Sequence, residues 1–365
     1  MTQARRMLVL RAVVEDYIRS QEPVGSSSVA RNHDLDVSSA TIRNDMAALE
    51  DEGYLMQPHT SAGRIPTEKG YRYFVDKLAT ITPLSEAQRR GINNFLSGSA
   101  SLEDTLQRAA RLLAQITGQV AIVASPSLSK STLRHVEIVP VSMTTLLAVV
   151  ITDTGRVAQH LLPIGRFPDT EVLARFSANV NVSCSGMSLS QAAHTVRDLS
   201  ADPRWADVRQ LGESLAEAFE AMADDERTSE LYMAGTSRLA RQHTLSDLAP
   251  LFDALEEQVV LMKLMSALSE ESQSGEVSVA IGSETHTPGL LHASVVTSGY
   301  GHTGANTAES DYADQPNHTE SSDSVAFVGS IGPTHMDYAT TMTAVRAVAR
   351  YLTTFLSHDG PGTHN

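Results

Sequence analysis

Residues Val37 to Gly70 (VSSATIRNDMAALEDEGYLMQPHTSAGRIPTEKG) constrain the fold more than any other stretch. Ser38 and Ser39 place small oxygen-bearing side chains where a helix must begin, and Ser38 is the better N-cap. From Ala40 to Asp51, Ile42, Met46 and Leu49 recur at spacings of four and three, which is one apolar helix stripe. Thr41, Arg43, Asn44 and Ala48 lie off that stripe. Gly53 stands where a helix-terminating glycine is expected. Tyr54 to Met56 reads as a short strand and Gln57 to Gly63 as a turn. Arg64 and Ile65 read as a second strand, cut off by Pro66. A helix followed directly by a small hairpin has the outline of a winged helix.

The residues before it complete that outline. Arg5 to Ser20 reads as a first helix, with Leu8, Ala12, Val13 and Tyr17 inward and Arg5, Arg6, Arg11 and Glu15 outward. Pro23-Val24-Gly25 is a turn, Ser26 to His33 a short second helix, and Asp34 to Val37 the tight turn into the third. The sum is a winged helix-turn-helix, whose third helix reads the major groove of double-stranded DNA. Arg suits a guanine edge and Asn an adenine edge. Thr41, Arg43 and Asn44, with Ser38 and Ser39 at the helix start, are therefore candidate contacts to bases or phosphates. His59, Thr60, Ser61 and Arg64 are candidate wing contacts to the DNA backbone or minor groove. Arg5 and Arg6 read equally as phosphate clamps or as a charged first turn.

A net charge of −15 at first argues against a polyanionic partner. Its distribution removes the objection. Residues 1–80 carry 10 Lys+Arg against 11 Asp+Glu, while the remainder carries 18 against 32. The acidic part is the part that need not touch phosphate.

Beyond the wing, Tyr71 to Ile81 continues as a helix, and Glu86 to Leu96 and Leu102 to Thr117 follow, separated by the Ser/Gly-rich residues 97–101. Leu106, Ala109, Ala110, Leu113 and Ile116 share one side of the latter. Val120 to Ala124 reads as a buried strand, Thr132 to Val141 alternates loosely, Thr145 to Thr152 is apolar on both faces as a fully buried strand would be, and Asp153-Thr154-Gly155 turns into Val157 to Leu162. Helices are expected over 169–182, 189–200 and 208–222, a short strand over 230–235, and one long helix over 248–268 with Leu251, Leu255, Val259, Met262 and Leu268 inward. Strands return at 277–282, 292–298 and 325–331, and a helix over 337–356 closes the chain. Thr303 to Ser324 holds almost no apolar residue and is expected to be a disordered loop. Two incomplete strand-rich halves around a helical block suggest a domain inserted in another.

No constellation supports catalysis. No His pair has the i, i+4 spacing of a helical metal site, and Gly-rich residues 282–304 lack phosphate-loop spacing, so no metal and no cofactor are expected. The single Cys184 allows no intrachain disulfide and suits a reducing cytosol. No run approaches the roughly 20 apolar residues of a membrane span, and the N-terminal apolar run, broken by Arg11 and Glu15-Asp16, reads as an amphipathic helix instead of a signal peptide. A cytoplasmic protein without membrane contact is expected.

The run ATIRNDMAALEDEGYLMQPHTSAGRIPTEKGYRYFVD closely resembles the HrcA family of bacterial heat-inducible transcription repressors. The likeness continues at LYMAGTSRL (231–239), AIGSE (280–284) and GSIGPTHMDY (329–338), and so spans the chain. Two positions depart: His335 stands where the family has Arg, and Thr285 where it has Asn. The resemblance implies an α+β fold: an N-terminal winged helix-turn-helix over 1–80, a linker over 81–101, and a GAF-like α/β domain over 102–168 and 271–365 with an inserted dimerising domain over 169–270. It implies a homodimer that represses chaperone operons from an inverted repeat called CIRCE, with the GroE chaperonin as the partner that keeps it active. The alternative is a winged-helix repressor that senses a small molecule.

Overall fold

The computed structural model describes residues 2–59, 62–79, 84–99, 101–126, 131–224, 230–242, 245–270, 276–301 and 325–358. The expected loop 303–324 lies outside them.

Alternating polar and apolar residues at helical spacing build α1 (Thr2–Ser20), α2 (Ser26–Asn32) and α3 (Ser39–Asp51). α1 is buried over most of its circumference, through Met7, Val9, Leu10, Ala12, Val13 and Val14. Leu8, expected inward, is 50% exposed and shares the outer face with Arg11, Glu15 and Arg19. β1 (Leu55–Met56) and β2 (Ile65–Pro66) form the antiparallel wing, with Leu55 opposite Pro66. Pro66 thus belongs to the second strand instead of ending it, at a sheet edge where its missing N–H costs little. α4 (Glu68–Tyr73) starts three residues earlier than expected, because Thr67 caps it through Gly70 N–H at 3.2 Å. It widens into a π turn over Phe74–Leu78.

α5 (Glu86–Leu96) and α6 (Leu102–Thr117) lead to β3 (Val120–Ala124). Ile116 on α6 lies at the exposed rim, not in the core. The chain then builds β4 (Leu133–Ser142), β5 (Thr145–Thr152), β6 (Val157–Pro163), α7 (Thr170–Cys184), α8 (Leu189–Ala201) and α9 (Arg209–Asp224). After β7 (Leu231–Ala234) come α10 (Thr236–Gln242), α11 (Leu245–Glu256) and α12 (Gln258–Glu270). The single helix expected over 248–268 is therefore two, broken at Glu257. The break rotates the apolar stripe onto Leu261 and Met265 and leaves Val259 62% exposed. β8 (Ser278–Ile281), β9 (Ala293–Tyr300), β10 (Ala326–Pro333) and α13 (Tyr338–His358) complete the chain.

Strands β7-β3-β10-β9-β8 form one antiparallel five-stranded sheet in that order. Strand alternation sends Ala121, Val123, Val296 and Val328 toward α6 and α13, and Val120, Ile122, Val295 and Ile331 toward α11 and α12. The first of these cores runs on without interruption into the winged helix, through Leu10, Leu49 and Tyr71.

β4, β5 and β6 form a separate antiparallel meander whose inner face packs on α7, α8 and α9 through Val136, Val150, Phe176, Val196 and Phe219. This second core is built from residues 133–222. The unit interrupting the five-stranded sheet thus includes the three strands expected in the preceding part, while α11 and α12 pack on the five-stranded sheet. β5 is not buried on both faces: Leu146, Ala148 and Val150 face inward, and Leu147, Val149 and Ile151 are half-exposed on the other side.

Candidate nucleic-acid interface

α3 is set by its two ends. At its start the Ser38 hydroxyl accepts from Thr41 N–H at 3.2 Å and lies 3.0 Å from Thr41 Oγ1. At its end Gly53 adopts φ +78°, where a side chain would be strained. Ile42, Asp45, Met46 and Leu49 face the core, so Ser39, Arg43, Asn44 and Ala47 face solvent. Arg43 pairs with no carboxylate among the described residues, and its guanidinium is free to donate. Ser38 and Thr41 spend their side chains on the cap, and Thr41 is only half-exposed. The free N–H groups of the first turn and the dipole of α3 favour an anion at this end.

Asp45 positions α3, and sequence reading missed it. It is buried on the inward side of α3 and takes two bonds from Arg5, Nε at 2.7 Å and Nη2 at 3.0 Å. Arg6 adds Nε at 3.8 Å from Asp45 and Nη1 at 3.0 Å from Glu52. The bonds to Asp45 outweigh some desolvation and, with the field of that carboxylate, raise the Arg5 pKa above its ordinary value. In sequence Arg5 and Arg6 read as phosphate clamps or as a charged first turn; the structure shows a third role, with both side chains bracing α3 from α1. The available signal was a carboxylate three residues after Ile42 on the core side, which demands a cationic partner.

The wing is held by backbone and side chains together. Val24 and Arg64 exchange N–H···O bonds of 2.9 and 2.8 Å, so the turn before α2 adds a bridge to the hairpin. Gly63 permits that approach, because a Cβ there would collide with the Val24 carbonyl. Gln57 Nε2 donates to Ala62 O at 2.9 Å and closes the hairpin. Arg64 Nε donates to Glu50 Oε2 at 2.9 Å, which fixes the wing base to α3. Of the expected wing contacts, His59 is exposed at the tip, Arg64 is committed to Glu50, and Thr60 and Ser61 lie outside the described residues.

The same domain is seated on the body by the later sequence motifs. Arg72 Nε donates to Glu284 Oε1 at 2.9 Å and Nη2 to Val279 O at 2.6 Å. Desolvation lowers the Arg72 pKa, but its bonds to Glu284 and then Asp76 outweigh that and raise it. Glu68 accepts from Ser283 Oγ at 2.6 Å, and Gly282 leaves room for that carboxylate. Tyr71 packs 5.9 Å from Tyr338, and Tyr17 meets His335 edge-on at 6.3 Å. Burial, followed by the proximity of Tyr338 and Tyr17, raises the Tyr71 pKa. His335, one of the two departures, thus touches the first helix of the winged domain.

Among the described residues, no helix is long and apolar enough to cross a membrane. Residues 103–342 match the family model described as HrcA protein C terminal domain. A heat-inducible transcription repressor HrcA of Bifidobacterium adolescentis is 71% identical over 369 residues, covering 98% of each chain. One from Arthrobacter sp. is 45% identical, covering 98% of this chain and 99% of its own. A crystal structure described as that of a hypothetical protein shares the fold, with TM-score 0.60 at 23% identity, covering 97% of this chain and 98% of its own. The chain belongs to the HrcA family of heat-inducible transcription repressors.

Proposed function

We propose that the chain represses heat-shock chaperone operons by seating α3 in the major groove of double-stranded DNA, one winged helix per half-site of an inverted repeat. The observation that carries this reading is the free outer face of α3, with Arg43 and Asn44 exposed and the helix braced from behind by Arg5–Asp45 and Arg64–Glu50. Arg43 and Asn44 read base edges or phosphates, Ser39 and the first-turn N–H groups take a phosphate, and His59 with its wing neighbours Thr60 and Ser61 follows the backbone. Ser38, Thr41 and Arg64 position these groups.

An inverted repeat calls for two copies related by a two-fold axis. The outer face of the three-stranded sheet supports a dimerising role for residues 133–222. Cross-strand rows Val139–Leu147–Leu161 and Glu137–Val149–Gln159 lie there, in register. Val139, Val141, Val157 and Leu161 are 39%, 59%, 54% and 60% exposed. A strand apolar on both faces is one that needs covering on both, and one chain covers only one. A second copy placed against this face completes it. The five-stranded sheet with its helices is then the GAF-like body.

The family resemblance supports the remaining assignments: a CIRCE-type repeat, a cytoplasmic repressor, and a GroE chaperonin that keeps it active until unfolded proteins occupy it. Mapping the protein's genomic sites before and after heat shock tests the reading. Occupied inverted repeats upstream of chaperone operons that empty on heating are expected; sites without such repeats overturn it.

A further inference from the structure

A cleft of about 470 Å³ lies between α5, in the linker after the winged helix, and α13 at the end of the chain. Its size falls within the roughly 300–1,000 Å³ of small-molecule sites. Ile92, Ala347 and Tyr351 give it an apolar wall, and Arg89, Arg346 and Arg350 line it with positive charge. The chain has 43 Asp+Glu against 28 Lys+Arg, yet no carboxylate lines this cleft among the described residues. Among the described residues, none of the three guanidiniums makes an ion pair.

Two further facts point to an anionic ligand. Arg346 and Arg350 stand four residues apart on one helix face, where like charges repel unless a counter-charge joins them. Ala347 and Tyr351 repeat the same spacing one residue on, so an apolar strip runs beside the charged one. A bare inorganic anion leaves that strip wet, and an uncharged lipid leaves the arginines unmatched.

We propose that this cleft binds a long-chain carboxylate of the fatty-acid class. The head group lies among Arg89, Arg346 and Arg350, and the alkyl chain lies along Ile92, Ala347 and Tyr351. An occupant held this way ties the linker helix to the last helix of the body. The site is separate from the DNA-reading surface and does not depend on that assignment.

Isothermal titration calorimetry on the full chain tests it, with dodecanoate below its micelle concentration as the probe. Saturable one-to-one binding is expected. Acetate, which has the head without the tail, and dodecyltrimethylammonium, which has the tail with the opposite charge, are expected not to bind. Arg346→Gln and Arg350→Gln each weaken dodecanoate at least about ten-fold, the scale of one lost charge-assisted hydrogen bond. Arg175→Gln, at an exposed arginine of α7, leaves it unchanged. Absence of saturable binding, equal binding of the cationic probe, or unchanged affinity in both cleft variants overturns the proposal. The head-group comparison uses the unaltered protein, so it decides the matter even where a substitution disturbs folding.

Discussion

The guanidinium of Arg72, on the helix that follows the wing, holds the carboxylate of Glu284 from the opposite end of the sequence, with Nε 2.9 Å from Oε1. The pair joins the DNA-reading domain to the edge of the five-stranded sheet, beside the Tyr71–Tyr338 contact. Two of the motifs that carry the family likeness, AIGSE and GSIGPTHMDY, therefore act at this joint.

Replacing Arg72 with Ala is expected to cost about 1–2 kcal/mol, since the pair is about one-third exposed and a bond to the Val279 carbonyl goes with it. Denaturant unfolding measures the cost, and amide exchange over 278–285 should quicken. Wild-type stability with unchanged exchange would show that the joint does not depend on this residue.

Arg5→Ala should act on the fold and not on DNA chemistry directly. It strands Asp45, whose side chain is 4% exposed, beside a more distant Arg6. The substitution should therefore destabilise the fold, though by less than breaking a fully buried pair, because Arg5 itself is a third exposed. Asp45→Asn removes the stranded charge, so Arg5→Ala should cost far less in that background. Strict additivity in the double-mutant cycle would refute the coupling.

Leu161→Glu places a charge on the open sheet face while leaving the inner core untouched. In a single chain an exposed substitution of this kind falls within about 0.5 kcal/mol. Sedimentation should show monomer with unchanged circular dichroism, and binding to an inverted repeat should drop with it. A dimer persisting at the same concentration would place the interface elsewhere.

Most of the DNA-reading domain was legible in the sequence, because its signals are local. The Ser38 cap, the Ile42–Met46–Leu49 stripe and the terminating Gly53 each act within one turn, and the structure uses all three. What failed was information that only packing supplies. Leu8 fits an apolar stripe on paper, but α1 is enclosed on so many sides that its single free face falls there. No Gly or Pro marks the break at Glu257, so the period across it gave Val259 the wrong face. The apolar run of β5 is correct for a strand covered twice, while helices of the same chain cover only one side. The limits 169–270 followed from grouping helices with helices, whereas the core groups β4 to β6 with α7 to α9. Arg64 looked free for DNA because its partner Glu50 lies fourteen residues away on another element.

If the outer face of α3 reads the operator, Arg43→Ala should show it. The side chain is exposed and pairs with no carboxylate among the described residues, so the fold and the proposed dimer should survive its removal. Binding to a duplex carrying the inverted repeat, measured against wild type at matched salt, should weaken by about 1–3 kcal/mol per half-site if the contact is to a base, roughly five- to 150-fold, with scrambled duplex much less affected. A uniform loss on both duplexes with a shallower salt slope would mark a phosphate contact by the same face. A folded Arg43→Ala dimer that binds the repeat as tightly as wild type would show that this face of α3 does not read the operator.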